Sequence, residues 1–345
     1  MPDIIFDNFA AKKQTFIIPL TFTDITAAKD VITRIGYGGD IWELRVDLLS
    51  PAPGPLTTAT NLPSPDYVEA QIKALQRMSD LPILFTIRTK SQGGKFPDDA
   101  AKEALELMLL AVSCGIQYID VEVEWPQSLL GEITEKKGST KVVASYHSWT
   151  GNIRWTSEEL QKRFESANKF GDIIKLSILS ATLEDCFELG LFVRDYNTKF
   201  SKPLLAVGMG AHGQLSRITS PISLVTHPLI PFPSAPGQLS LAQVHQAQHL
   251  MGMLPRREFN VFGEKGESAK AAAVAAVFQQ GFQELGLPHV CQLGGESGAS
   301  ASGFDVANLF AGGRVEDAFD KQFSAWTGRQ APSLVLSDAW KRSLE

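Results

Sequence analysis

Eight short runs of β-branched and apolar residues punctuate the first 230 positions: 15–22 (TFIIPLTF), 41–47 (IWELRVD), 83–89 (ILFTIRT), 118–124 (YIDVEVE), 141–147 (KVVASYH), 173–180 (IIKLSILS), 204–209 (LLAVGM) and 223–228 (SLVTHP). Runs this short and this continuously apolar read as strands covered on both faces. Between most of them lie segments of helical period, such as 66–79, 98–113 and 157–170, the last introduced by a capping-box-like Thr156-Ser157-Glu158-Glu159. A βαβα order with doubly covered strands demands a parallel sheet. Eight such units fit the roughly 250 residues of a (β/α)8 TIM barrel, with a doubly wound open sheet as the competing arrangement.

Composition narrows the partners. The 345 residues carry 32 Lys+Arg against 38 Asp+Glu, a net charge of −6, which excludes a basic nucleic-acid binder. With 44% hydrophobic and 20% charged residues, the chain has material for a large core and is expected to be globular. No apolar run is long enough to span a membrane, and Met1 to Ala10 lacks a basic region followed by an apolar stretch, so a cytoplasmic protein without membrane partners is expected. Cys114, Cys186 and Cys291 are scattered without metal or disulfide spacing and read as buried, inert thiols. After residue 254 the character changes: a strand at 259–263 and a helix at 268–285 precede a flexible 293–303 (LGGESGASASG) and short helical patterns. The expected division is a barrel over 1–254 and a short C-terminal α/β appendage over 255–345.

Charged and polar residues collect late in the strand runs: Glu43, Arg45 and Asp47, then Arg88, Glu122 and Glu124, His147 and Lys175, while Met209 ends the seventh before a glycine-rich turn. The carboxyl ends of barrel strands share one face, and unpaired buried charge costs several kcal/mol, so these side chains are expected to converge on a polar ligand. Lys175 stands within Ile173-Ile174-Lys175-Leu176, where desolvation disfavours the ammonium and favours a nucleophilic amine able to form a Schiff base with a ketone; a snorkelling or salt-bridged lysine is the plainer alternative. His147, at the end of the preceding strand, suits an acid/base partner; a core histidine satisfying a carbonyl is the plainer alternative.

Gly208-Met209-Gly210-Ala211-His212-Gly213 fits a dinucleotide-binding fingerprint, but no acidic residue follows near 228–233 to hold a ribose, so a nicotinamide oxidoreductase is disfavoured. The segment offers instead a flexible loop ending in Ser216-Arg217. Ser234-Ala235-Pro236-Gly237-Gln238 is expected to open the last helix as an anion-binding N-terminus which, with Arg217, would hold a carboxylate. His245 and His249, four apart on that helix, lack a third ligand and read as a solvated or partly packed face rather than a metal site.

These segments resemble the type I 3-dehydroquinate dehydratases, especially the dehydratase segment of the fungal pentafunctional shikimate-pathway polypeptide. The motifs are WELRVDLL at 42–49, FTIRTKSQGGKFPDD at 85–99, IDVEVE at 119–124, VVASYH at 142–147, GDIIKL at 171–176, GMGAHGQLSRI at 208–218 and SAPGQLS at 234–240. The resemblance implies the (β/α)8 barrel and a Schiff-base lyase that removes water in syn fashion from 3-dehydroquinate to give 3-dehydroshikimate, without metal or external cofactor. It implies that Lys175 forms the imine and His147 is the general acid/base. Glu43, Arg45 and Arg88 would grip ring hydroxyls, Met209 would pack on the ring, and Arg217, Ser234 and Gln238 would bind the carboxylate side. A homodimer is compatible with it.

Two positions depart from the family pattern. Ser148 stands where Asp or Asn usually follows the histidine, and Gln92 stands where bacterial members carry a glutamate that contacts it. Residues 258–288 are similar to the opening strand and helix of shikimate dehydrogenase, but GESAKAAAV replaces its S-x-S-P and H-N pattern. The tail is expected to be a truncated remnant without dehydrogenase activity. The fungal quinate repressor shares this order of segments, so a weakly catalytic metabolite-binding regulatory module is the alternative to an enzyme of shikimate or quinate metabolism.

Overall fold

The computed structural model describes residues 3–51, 62–263, 268–294, 303–309 and 314–343. The chain divides into two compact units, one of residues 1–35 and 39–239, the other of 36–38 and 240–345.

In the first unit the elements run α1 (Ile4–Ala10), β1 (Thr15–Leu20), α2 (Lys29–Ile35), β2 (Ile41–Arg45), α3 (Pro65–Met78), β3 (Ile83–Thr86), α4 (Ala101–Ser113), β4 (Tyr118–Glu122) and α5 (Gln127–Lys136). They continue with β5 (Lys141–Ser148), α6 (Glu158–Phe170), β6 (Ile173–Leu179), α7 (Glu184–Lys199), β7 (Leu204–Met209), α8 (Gln214–Thr219) and β8 (Ile222–Leu224). All eight strands are parallel, in the order β7-β6-β5-β4-β3-β2-β1-β8. β7 and β8 meet across the remaining gap, so the sheet nearly closes into a barrel. The open-sheet alternative is thereby excluded. Helix boundaries follow local chemistry: Ser64 and Ser157 each accept a hydrogen bond from the backbone amide three residues on, at the starts of α3 and α6.

The barrel interior is layered by the two-residue period of the strands. At the amino-terminal end, Ile17, Ile41, Leu84, Tyr118, Val143, Ile173, Leu205 and Ile222, one from each strand, form an apolar plug together with Ile5 of α1. The Tyr118 hydroxyl donates to Asp3 (2.6 Å) and accepts from the Ile5 amide (3.2 Å), tying α1 beneath the plug. Above it the inward positions turn polar, so the same period that builds the core delivers charge to the carboxyl-terminal mouth.

The second unit contains α9 (Leu241–Leu250), β9 (Glu258–Phe262), α10 (Ser268–Glu284), β10 (Val290–Leu293), β11 (Gly303–Asp305), α11 (Val315–Thr327) and α12 (Ser333–Ser343). Its strands form a parallel sheet in the order β10-β9-β11. The compact units divide at residue 240, with α9 bonded into the later chain: His245 Nδ1 meets the Leu285 carbonyl at 2.6 Å. His245 is therefore buried, not on a solvated face, while His249 is exposed. The short helical patterns of the tail are two full helices around an aromatic core of Phe259, Phe278, Phe282, Phe319, Phe323 and Trp326, with Phe259 stacked on Trp326 at 4.5 Å. Of the stretch expected to be flexible, 295–302 lies outside the described residues. Cys186 and Cys291 are buried as expected, whereas Cys114 is only partly so.

Candidate active site

Every strand that contributes a charged residue does so in pairs two residues apart: Glu43 and Arg45 on β2, Asp120 and Glu122 on β4, Lys175 and Ser177 on β6. Ser145 and His147 form the same pair on β5, and Thr86 ends β3 two residues before Arg88. A cavity at the barrel mouth is lined by Glu43, Arg45, Arg88, Gln92, Gly93, His147, Trp149, Lys175, Ser177, Val207, Met209, Arg217, Leu224, Ser234 and Ala235. Eight of the nine residues anticipated from sequence meet there; Gln238 stands behind Ser234.

Lys175 is buried, but not in apolar surroundings. Its Nζ lies 2.8 Å from Asp120 Oδ2 and 3.1 Å from Glu43 Oε1. Two carboxylates compensate its charge, so the lysine has the salt-bridged setting rather than a bare apolar one. Burial alone would raise the Asp120 carboxyl, yet Arg88 and Lys175 outweigh it and hold Asp120 at about 2. Arg88 reaches Asp120 at 2.9 Å and Glu122 at 2.7 Å and donates to Ser145 Oγ, which itself donates to Asp120 (2.5 Å). Thr86 Oγ1 donates to Glu43 (3.0 Å), and Arg45 binds Asp47 through two 2.8 Å bonds. Such a network keeps charges buried only because each is paired.

Asp120, Ser145, Thr86 and Trp149 were missed by the sequence reading. The signal was present for two of them: Asp120 and Ser145 sit two residues before Glu122 and His147, on the same strand face. Glu124, by contrast, points outward and pairs with Arg163 at 2.7 Å.

His147 meets Lys175 diagonally, since Lys175 is in register with Ser145. Its orientation comes from the loop after β3. The His147 backbone amide donates to Gln92 Oε1 (2.9 Å), and the ring Nδ1 lies 3.2 Å from the same oxygen. Because the amide can only donate, that atom must be the carbonyl oxygen, so Nδ1 carries the proton and Nε2 keeps the lone pair of a base. Burial, then Arg88, Lys175 and Arg45, push the imidazole well below 6.5, leaving it neutral at pH 7. Trp149 Nε1 donates to the Gln92 carbonyl (2.8 Å), and its ring lies on Gly93, where a Cβ would come within 2.1 Å of it and φ is +84°. Only glycine fits there. Ser148 is buried, and its hydroxyl shares a hydrogen bond with Thr150 Oγ1 (3.4 Å).

The glycine pattern at 208–213 has a packing origin. A Cβ on Gly213 would lie 2.1 Å from the Gly208 carbonyl oxygen, and Gly208 N donates to Ser216 Oγ (2.9 Å). The expected flexible loop is helix α8, with Ser216 and Arg217 buried. Ser234–Gln238 is not a helix N-terminus either. The next helix, α9, starts at Leu241 with Ser240 as cap, and Ser234–Gln238 forms its own turn in which the Ser234 amide and hydroxyl both donate to Gln238 Oε1.

Arg217 donates to the Pro236 carbonyl (3.2 Å), and among the described residues its Nε has no hydrogen-bond partner and no carboxylate pairs with it. Burial pushes this guanidinium down to about 10. Gln92 Nε2 and Gln238 Nε2 are likewise buried without a partner among the described residues. Uncompensated donors of this kind are what an oxyanion ligand satisfies.

A model of the Type I 3-dehydroquinase family matches residues 16–255. The chain is 40% identical over 293 residues to the Pentafunctional AROM polypeptide of Mycosarcoma maydis, a match that covers 84% of this chain and 17% of that polypeptide. It superposes on the dehydroquinate dehydratase and shikimate dehydrogenase from S. pombe AroM with a TM-score of 0.78 and 33% identity, covering 88% of this chain and 55% of that one. The 3-dehydroquinate dehydratase from Geobacillus kaustophilus HTA426 shares the fold, with a TM-score of 0.59 at 22% identity over 70% of this chain and 91% of that one.

Proposed function

The chain belongs to the type I 3-dehydroquinase family, and on that premise we propose that it dehydrates 3-dehydroquinate to 3-dehydroshikimate through a Schiff base on Lys175. The observation that carries this reading is the placement of a compensated lysine, a neutral histidine with a free Nε2 and an uncompensated arginine around one cavity. Lys175 Nζ adds to the substrate ketone, and loss of that oxygen as water leaves a protonated imine whose charge Asp120 and Glu43 stabilise in place of the ammonium. His147 Nε2 takes the proton from the carbon beside the imine, the electron pair moving into the imine nitrogen. The resulting enamine expels the hydroxyl one carbon further on, which leaves as water with the proton from His147. A second water then hydrolyses the imine, restoring Lys175 and releasing the unsaturated ketone. Arg217, Ser234 and Gln238 hold the carboxylate, Glu43, Arg45 and Arg88 the ring hydroxyls, and Met209 the ring face.

Borohydride reduction in the presence of 3-dehydroquinate tests the assignment. Peptide mass spectrometry is expected to find the adduct on Lys175; turnover with an unmodified Lys175 would sink it. Replacing Arg217 by methionine removes a buried cation that no carboxylate pairs with among the described residues. The expected result is KM raised by about a hundredfold with a smaller change in kcat, because a bidentate ion pair to a bound carboxylate is lost.

A pH profile probes the histidine. Since His147 is held well below 6.5, it keeps its base form at that pH, so the acidic limb of kcat/KM belongs well below pH 6.5. Gln92→Glu puts a carboxylate against Nδ1 and is expected to move that limb upward by about one pH unit or more. An unmoved limb would show that another group titrates there.

We read the second unit as a shikimate-dehydrogenase-like segment without dehydrogenase activity. The 293-residue match to the pentafunctional polypeptide, longer than the stretch 16–255, supports the likeness. Among the described residues no helix is long and apolar enough to cross a membrane; a cytoplasmic setting is part of the proposal.

A further inference from the structure

Glu122 ends β4 close to the catalytic cavity without lining it. It is buried, and both of its oxygens are bound to two consecutive residues of the neighbouring chain segment. Oε1 accepts from Arg88 Nη1 (2.7 Å) and from the Thr89 backbone amide (3.0 Å), and Oε2 accepts from the Thr89 hydroxyl (2.6 Å). The β3–β4 ladder ends at Thr86 opposite Asp120, so beyond that point the Glu122 side chain takes the place of a strand partner for the outgoing chain. A carboxylate that accepts from a guanidinium, an amide and a hydroxyl together is a strong, directional anchor.

The segment held by this anchor is the loop that orients His147. The Thr89 carbonyl accepts from the amides of Gln92 (3.2 Å) and Gly94 (2.7 Å), and the Arg88 carbonyl accepts from the Phe96 amide (3.0 Å). The turn closes so tightly that a Cβ on Gly94 would collide with the Arg88 carbonyl oxygen. Thr89 thereby places Gln92, whose Oε1 meets both the backbone amide and Nδ1 of His147. Trp149 grips the same loop from the β5 side, through the Gln92 carbonyl at 2.8 Å.

We infer that Glu122 is a positioning residue: it fixes the Arg88–Thr89 turn and, through Gln92, decides which ring nitrogen of His147 carries the proton and how that ring is aimed. The inference rests on His147 being the base of the dehydration proposed above. Glu122 acts at a distance of two bonded steps, by way of Thr89 and then Gln92. Without the anchor, Gln92 Oε1 is no longer held against Nδ1. The proton then sits on either nitrogen, and the share of the protein with a free Nε2 aimed into the cavity falls. Trp149 keeps part of the hold, so the loss is partial rather than complete.

Nitrogen NMR of the full chain, isotopically labelled on its histidines and assigned with His147→Gln, tests this without turnover. At pH 7 the wild type is expected to show His147 protonated on Nδ1, and Thr89→Val and Glu122→Leu to show both tautomers. Glu122→Gln is expected to keep the Nδ1 form, because its Oε1 still accepts from Arg88 and the Thr89 amide while its NH2 donates to the Thr89 hydroxyl. In turnover, Thr89→Val is expected to lower kcat about tenfold with KM changed by less than about twofold. Placed in a Gln92→Leu background, the same substitution is expected to lower kcat no further, since the route to His147 is already cut. Should Glu122→Leu fail to fold, Thr89→Val carries both readouts. The inference is overturned if Thr89→Val keeps the Nδ1 tautomer, if its loss of kcat recurs in full beside Gln92→Leu, or if Glu122→Gln is as damaging as Glu122→Leu. A wild type that neither turns over nor traps 3-dehydroquinate would instead sink the proposed activity, and the tautomer in the free protein would still decide the role of Glu122.

Discussion

Substitution of Lys175 by methionine is expected to lower turnover by about ten-thousandfold or more and to abolish borohydride trapping, because no other group of the cavity is a ketone-directed amine. Methionine keeps the length and lets the strand pack, so the loss is chemical. It also carries a structural consequence. Asp120 would retain Arg88 and Ser145, and Glu43 would retain Thr86, but both would lose the ammonium between them. Breaking a buried ion pair typically costs about 3–5 kcal/mol, and the surviving partners favour the lower end. Denaturant unfolding at pH 7 measures that loss, while single-turnover kinetics with 3-dehydroquinate measures the chemistry. A folded Lys175→Met protein that still turns over would remove the imine from the mechanism.

Asp120→Asn is expected to have the larger effect on stability. Asp120 is fully buried and faces Arg88, Lys175 and Ser145 together. Neutralising it leaves two cations sharing Glu43 and Glu122 and is expected to cost about 3 kcal/mol or more, with turnover reduced by about a hundredfold as the lysine and its iminium lose their nearest counter-charge. The acid dependence supplies an independent check. The folded carboxyl sits at about 2, below its ordinary 3.8. Its contribution to stability is therefore present above pH 4 and is lost as pH falls from about 4 through 2, a change of about 2 kcal/mol. The wild type is expected to lose stability in that window and the asparagine variant to show a flatter curve there. Identical acid curves would mean that Asp120 is not the ion-paired anchor its distances indicate.

The contrast between these two residues shows how the site was coded. Lys175 drew attention because a cation interrupts an apolar run, and His147 because it stands at the end of the preceding strand. Asp120 escaped notice within YIDVEVE, where three carboxylates alternate with the same parity; β4 ends at Glu122, so Asp120 and Glu122 stay in the barrel interior while Glu124, beyond the strand, faces Arg163. Gln92 is harder still. It lies on a loop, where no periodicity fixes direction, and its role depends on the carbonyl oxygen meeting both the amide and the ring of His147. The proton position on that ring follows from this encounter alone.

Other readings failed for related reasons. Ser234–Gln238 has the composition of a helix start, yet Ser240 and Gln243 form a complete capping box and claim the boundary. The tail looked like fragments because its helices α11 and α12 are short in pattern. Their stability comes from Phe319, Phe323 and Trp326 packing on Phe259, Phe278 and Phe282, partners distant in sequence.

The local periods of the chain by themselves determined eight covered strands, their order with helices, the apolar floor and the charged rim, because strand and helix periods are properties of neighbouring residues. The motifs along those strands determined the family. What only the tertiary structure decided is which charges meet: that Lys175 rests between Asp120 and Glu43, that His147 is neutral with Nε2 free, and that Arg217 lacks a carboxylate among the described residues. Those facts depend on distances across a barrel, between residues as far apart in sequence as Glu43 and Lys175. Electrostatic energy depends on such distances and on burial, neither of which one strand's sequence contains.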